Sequence, residues 1–372
     1  MKIDTFGVEM WMNEWETKCA FNLAETCVSS LRIEELLRLS GLNRDDLSAL
    51  LPLKMTYGDI KGSDRLRSAI SKLYTNQDID NILITHGTIG ANMLVHKTLV
   101  EPRDTVISVV PTYQQHYSIP ESIGADIQIL KLKEAHGWLP DLRALRDISK
   151  DGAKLIALTN PNNPTGALIS DEMLSEIAEI AREAGAWLLC DEVYRGTNQE
   201  GSGLGKSIAD IYEKGISTAG MSKAFSLAGL RLGWITAPKE FIEDVMIHRD
   251  YDTISVGLID DHFAALALEN HDRLLDRSKR ITRDNLATLE AWINKETRLT
   301  WIKPKAGTTA LVKYDLPMLS YDFCTALLKK TGVMFTPGSA LGMEGYVRVG
   351  YANSPKILKD GLVRVSEFLA SH

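Results

Sequence analysis

Cysteine is scarce in this chain and poorly spaced for a framework. The four in 372 residues, Cys19, Cys27, Cys190 and Cys324, lie far apart with no C-x-x-C pair. That argues against a thiolate metal site or a disulfide scaffold and fits a reducing compartment. Positive charge is also short. A net charge of -7 and a pI near 5.7 argue against a nucleic-acid or anionic-membrane surface, which wants clustered Lys and Arg. No apolar run approaches the roughly 20 residues of a membrane span, and the opening Met1-Lys2-Ile3-Asp4 leads into no signal-peptide core. The cytoplasm is the expected location. The eight histidines are scattered without metal-ligand spacing, and internal repeats, low-complexity tracts and Pro/Gly/Ser-rich linkers are absent. A P-loop is missing too. Gly201-Ser202-Gly203-Leu204-Gly205-Lys206-Ser207 resembles one, but its first glycine would fall on Glu200 and no strand ends just before it.

What remains is ordinary globular stock, 44% hydrophobic and 24% charged, in a chain long enough to divide in two. The first thirty residues, with Trp11 and Trp15, read as an arm or short helix leading into an extended segment. From about Tyr57 short apolar runs alternate with helical patterns. Ile82–Thr85, Thr105–Val109, Ile127–Leu132, Lys154–Thr159, Ala186–Cys190, Ile216–Ala219 and Leu232–Ala237 read as strands. Met93–Leu99, Leu142–Ile148 and Asp171–Ala184 carry helical spacing, the last behind an N-capping Ser170. Apolar strands separated by helices imply a mainly parallel sheet covered on both faces. Beyond His248 a long helical stretch precedes a second, smaller strand–helix–strand–helix unit. The expected division is a large domain over 46–279, with 1–45 and 280–372 forming the arm and small domain.

Three islands follow strand ends, where open α/β sheets place ligands. They are Asn160-Pro161-Asn162-Asn163-Pro164-Thr165-Gly166, then Asp191-Glu192-Val193-Tyr194, then Ser222-Lys223 with Arg231 eight residues on. Together they meet the demands of a phosphorylated pyridine aldehyde. An anion, Asp191, keeps the ring nitrogen protonated. Asn163 and Tyr194 supply donors to the 3-oxygen, and Lys223 is the amine that forms the imine. Arg231, with the Gly87-Thr88-Ile89 turn before a helix, suits the phosphate.

This set resembles the fold-type-I pyridoxal-5′-phosphate (PLP) aminotransferases of class I/II, from about residue 50 to the C-terminus. The resemblance implies an α/β fold, a large domain with a mainly parallel seven-stranded sheet plus a small α/β domain. It assigns cofactor contacts to Asn163, Asp191, Tyr194, Lys223 and Arg231, with Ser222 beside them. Tyr113 in Pro111-Thr112-Tyr113 becomes the ring stacked on the pyridine. Tyr57 becomes the tyrosine reaching the phosphate of a neighbouring subunit, which implies a homodimer. Arg348 in Val347-Arg348-Val349 becomes the fork for the substrate carboxylate, next to Asn163. The implied activity is transamination between an α-amino acid and a 2-keto acid. A lyase or cyclase would use the same cofactor residues.

Two departures stand out. Gly220 replaces a frequent serine three residues before Lys223, and Ser222 is the candidate to compensate. The usual glycine-bearing N-terminal segment is replaced by Phe21-Asn22-Leu23-Ala24-Glu25-Thr26-Cys27-Val28-Ser29. That segment and His248-Arg249-Asp250-Tyr251-Asp252-Thr253 are similar to the capreomycidine synthase branch, whose members cyclise a hydroxylated arginine. Glu25 and Thr26 read as structural. Arg249 is by position a candidate cation for a dicarboxylate side chain. A regulator's sensor role would need a DNA-binding domain. The residues before the core are not basic and show no helix-turn-helix pattern.

Overall fold

The computed structural model describes residues 2–371. Seven strands form the large sheet, in the order Ile82–His86, Leu232–Thr236, Gly215–Gly220, Trp187–Asp191, Leu155–Thr159, Thr105–Val110 and Asp126–Lys131. Every neighbouring pair is parallel except those made by Leu232–Thr236, which runs antiparallel to both of its neighbours. The central strands are almost wholly buried because both faces are covered. In Leu155–Thr159 every residue is buried. Ile156, Leu158, Leu188 and Cys190 pack with the helix Asp171–Glu183, while Leu155, Ala157 and Leu189 turn to the opposite core with Leu94, Val95 and Val245. This is the period-two alternation of a strand between two helical layers.

The helices begin where their caps allow. Ser170 accepts from the Met173 amide, as expected. The helix expected over Met93–Leu99 spans Gly87–Leu99. The low helix propensity of Gly87 and Gly90 hides its first turn in the sequence. The helix Gln115–Ile123 carries Pro120 inside it, a residue whose helix-breaking character masks the helix in the sequence.

A second sheet of four antiparallel strands runs Thr336–Pro337, Tyr346–Gly350, Thr309–Tyr314, Leu299–Trp301. The 23-residue helix His271–Ile293 joins the two cores. Leu274 and Leu275 lie in the core beside the large sheet, whereas Leu286, Leu289 and Ile293 lie in that of the small one. The arm forms the helix Gly7–Trp15 and a short strand, Phe21–Asn22, parallel to Val333–Met334. This pairing brings the atypical segment 21–29 from the start of the chain onto the small sheet. No helix among the described residues is long and apolar enough to cross a membrane.

Candidate active site

At the carboxyl ends of the central strands lies a cavity of about 420 Å³, lined by residues from the N-terminal arm through to Arg348. Thr88, Ile89, Tyr113, Asn163, Asp191, Tyr194, Ser222, Lys223, Arg231 and Arg348 all face it. Ten of the twelve residues picked from sequence therefore share one wall or another. The other two are Gly87 and Tyr57. Gly87 backs the site, since a methyl group there would lie 3.0 Å from an Arg231 Nη2 atom. Tyr57 is 76% exposed and away from this chain's own cavity.

Asp191 ends its strand buried, one oxygen accepting from the Val193 amide at 3.1 Å and the other from Asn92 Nδ2 at 2.9 Å. Asn92 is fixed in turn by Thr218 Oγ1 at 2.6 Å. His116 Nε2 stands 3.7 Å from the same Asp191 oxygen, and His96 contacts His116 at 3.3 Å. Asn92 and His116 were missed in the sequence. Asn92 lies one helical turn past Thr88, a spacing that puts it on the face of a residue already chosen; His116 has no such signal.

Lys223 Nζ donates to Thr26 Oγ1 at 2.6 Å and to Cys27 Sγ at 3.4 Å. Burial works against its charge, but the Cys27 thiol, the Tyr194 phenol and the Glu25 carboxylate outweigh it and hold the ammonium above the usual lysine range. Burial raises Tyr194, whose oxygen accepts from Asn163 Nδ2 at 3.3 Å. Arg348 is buried, and burial lowers it. Its Nη atoms reach Asn163 Oδ1 at 3.3 Å, and Ala24 O and Thr336 Oγ1 at 3.1 Å each. Its Nε has no partner.

The opposite side of the cavity is acidic. Glu9 on the N-terminal helix accepts from the Tyr113 phenol at 2.6 Å, and Glu16 and Glu25 also line the space. No motif marks Glu9 or Glu16, so only the docked arm reveals them. Thr26, expected to be structural, lies against the Lys223 nitrogen.

Two expectations are revised. Arg249 is buried away from the cavity and donates to the main-chain oxygens of Ile84, Ile60 and Ile254, so it holds backbone and meets no side-chain carboxylate. At Gly220, a Cβ would lie 2.5 Å from Thr88 Oγ1. Thr88 thus fills the room a serine would take, and its buried hydroxyl is unpartnered. Ser222 sits beside it, 3.5 Å from Arg231 Nη1.

The donor set fits PLP. An unpartnered hydroxyl at Thr88 beside the Arg231 guanidinium, an anion at Asp191 and an amine between them match a phosphate, a pyridine nitrogen and an aldehyde in turn. Fold and site together define a PLP-dependent enzyme of fold type I. The family described as aminotransferase class I and II matches residues 52–364, and the chain belongs to it. It resembles a PLP-dependent aminotransferase from Streptococcus suis 89-1591, with 41% identity and a TM-score of 0.96 over 100% of this chain and 99% of that one. The PLP-dependent cyclase OrfR is 25% identical, with a TM-score of 0.91 over 100% and 98% of the two chains. Capreomycidine synthase of Streptomyces vinaceus is 27% identical over 368 residues, 98% of this chain and 94% of that protein.

Proposed function

We propose that the enzyme transfers an amino group from an α-amino acid to a 2-keto acid, with PLP attached covalently through Lys223. The observation that carries this reading is the single cavity that Lys223 shares with buried Asp191 and buried Arg348. Bound PLP supplies an electron sink that acidifies the substrate Cα–H bond. Asp191, held by Asn92 and the Val193 amide, keeps the proton on the ring nitrogen. Asn163 and Tyr194 serve the 3-oxygen, Tyr113 the ring face, and Thr88, Ser222, Arg231 and the helix start at Gly87 and Ile89 the phosphate. Arg348 takes the substrate carboxylate with a two-pronged bond, which its free Nε supports. Lys223, once released, carries the proton removed from Cα.

The acidic wall narrows the amino donor. Glu9, Glu16 and Glu25 line the same cavity, and among the described residues the cations lining it are Lys223, Arg231 and Arg348. That arrangement favours a donor with a cationic or hydrogen-bond-donating side chain over a dicarboxylate. The same wall, with the match to capreomycidine synthase across the N-terminal arm, favours a second reading, cyclisation of a guanidino amino acid on the same cofactor.

One screen tests both. Amino acids are added singly to the holoenzyme while cofactor absorbance and products are followed. Transamination converts the cofactor to its amine form and yields a keto acid; cyclisation returns the starting cofactor and a ring product; pyruvate and ammonia would mark elimination. Lys223→Ala should abolish turnover together with the absorbance of lysine-bound PLP, and a variant that kept full activity would sink the scheme.

A further inference from the structure

The atypical segment 21–29 is built as a rigid support, and what it supports is the nitrogen of Lys223. Asn22 Oδ1 caps the amides of Ala24 and Glu25 at 3.0 Å each. Glu25 Oε1 receives the amides of Thr26 and Cys27 at 2.7 and 2.8 Å. Thr308 Oγ1 donates to Thr26 O at 2.7 Å, and the Gly350 amide to Leu23 O at 2.7 Å. Arg348 donates to Ala24 O. The Val28 amide reaches Lys223 O itself at 3.4 Å. Thr26 and Cys27 are both buried, so their side chains have little freedom beyond the lysine they meet.

We propose that Thr26 and Cys27 form the seat that receives the Lys223 amine when an incoming amine displaces it from the cofactor, which makes Thr26 a catalytic residue. The Lys223 nitrogen rests on these two groups. In the displacement, the substrate nitrogen gains the carbon that Nζ gives up, and two of the substrate ammonium's protons pass to Nζ, which leaves as a free amine; a third would make it an ammonium. A hydroxyl both donates and accepts, so Thr26 holds the nitrogen as free amine or as ammonium. An ammonium has three N–H bonds; Thr26 and Cys27 take two, leaving one for the proton that Lys223 exchanges with substrate. The segment that docks against Arg348 is thereby the segment that holds the freed base, coupling carboxylate capture to lysine release.

This rests on the reading that Lys223 carries PLP. It is tested with 2-methylalanine, an amino acid without a Cα hydrogen, which displaces the lysine with no proton abstraction to follow. Displacement is read from the absorbance of lysine-bound PLP, and PLP affinity is measured separately on the cofactor-free protein. Losing one hydrogen bond to a charged group weakens displacement about tenfold. Thr26→Val should therefore raise the apparent dissociation constant for 2-methylalanine about tenfold, while binding PLP as tightly as the parent or more tightly. Thr26→Ser should restore the parent value. A Thr26→Val protein displaced as readily as the parent would overturn the seat. So would one that lost PLP affinity in step with displacement, because that pattern marks a merely structural role. If the parent itself formed no lysine-bound absorbance, the Lys223 reading would fall, and the seat with it.

Discussion

Glu16 shows how a single side chain sets a preference. Its carboxyl is raised above the usual value, first by partial withdrawal from solvent and then by the nearby Glu25. Glu25, held below the usual range despite its burial by Lys223 and the Cys27 and Thr26 amides, is the ionised neighbour that resists a second negative charge on Glu16. A raised carboxyl is neutral at low pH and becomes an anion only as pH climbs past its elevated value, so its attraction for a cation grows with rising pH. For a donor with a cationic side chain, kcat/KM should rise over that interval more steeply than for a neutral donor. Glu16 is largely solvent-facing, so the difference should be modest, about two- to fivefold. Glu16→Gln should flatten it. Paired pH–rate profiles for arginine and for a neutral donor of similar length check this, and parallel profiles in the parent enzyme would count against the acidic wall.

Among elements, the arm and the strand Tyr346–Gly350 depend on each other most closely. A methyl group on Gly350 would overlap the main-chain oxygen of Glu25, so only a residue without a side chain lets the turn at 24–26 lie against this strand. Gly350→Ala should cost about 1–3 kcal/mol of stability, as overpacking in a close-fitting interior does, and should push Thr26 off Lys223. Thermal unfolding reads the first effect and 2-methylalanine displacement the second. A variant that matched the parent in both would show that the turn gives way easily. The same interface explains what the sequence could and could not show. Lys223, Asp191 and Asn163 were legible because each follows an apolar strand at a short, fixed interval, so local order carries their geometry. Arg348 was legible only through resemblance. Glu9, Glu16 and Thr26 were not legible as site residues, since they reach the cavity through pairings such as Phe21↔Val333, more than three hundred residues apart, which no local period encodes. Arg249 misled for a related reason: a cation's position in the chain says nothing of whether main-chain oxygens, rather than ligand, surround it.

At the scale of the whole molecule, the surface has a region that a monomer would not be expected to keep. Leu51, Met55, Tyr57, Ile247 and Tyr251 are each more than 60% exposed. Arg249 ties the segment at Ile60 to the segment at Ile254 by donating to both main-chain oxygens, which draws the two stretches that carry them together. Large apolar side chains left exposed on adjoining segments are the kind of surface an interface covers. Together with the position of Tyr57 it supports a homodimer in which each chain lends Tyr57 to the other's phosphate site. Light scattering should give twice the chain mass of 41.3 kDa. Tyr57→Ala should weaken PLP binding about tenfold, the loss expected for one hydrogen bond to a charged group. Shared sites make a sharper claim. Tyr57→Ala chains have the lysine but lack the tyrosine, and Lys223→Ala chains have the reverse. Mixed and allowed to exchange, they should create one complete site per heterodimer. At PLP levels that leave Tyr57→Ala mostly empty, adding Lys223→Ala chains should then raise the absorbance of lysine-bound PLP, which only the Tyr57→Ala chain can produce. Adding the double variant should not. No gain from the mixture, although exchange is confirmed by mass, would place Tyr57 outside the neighbour's site and leave the apolar surface as interface alone.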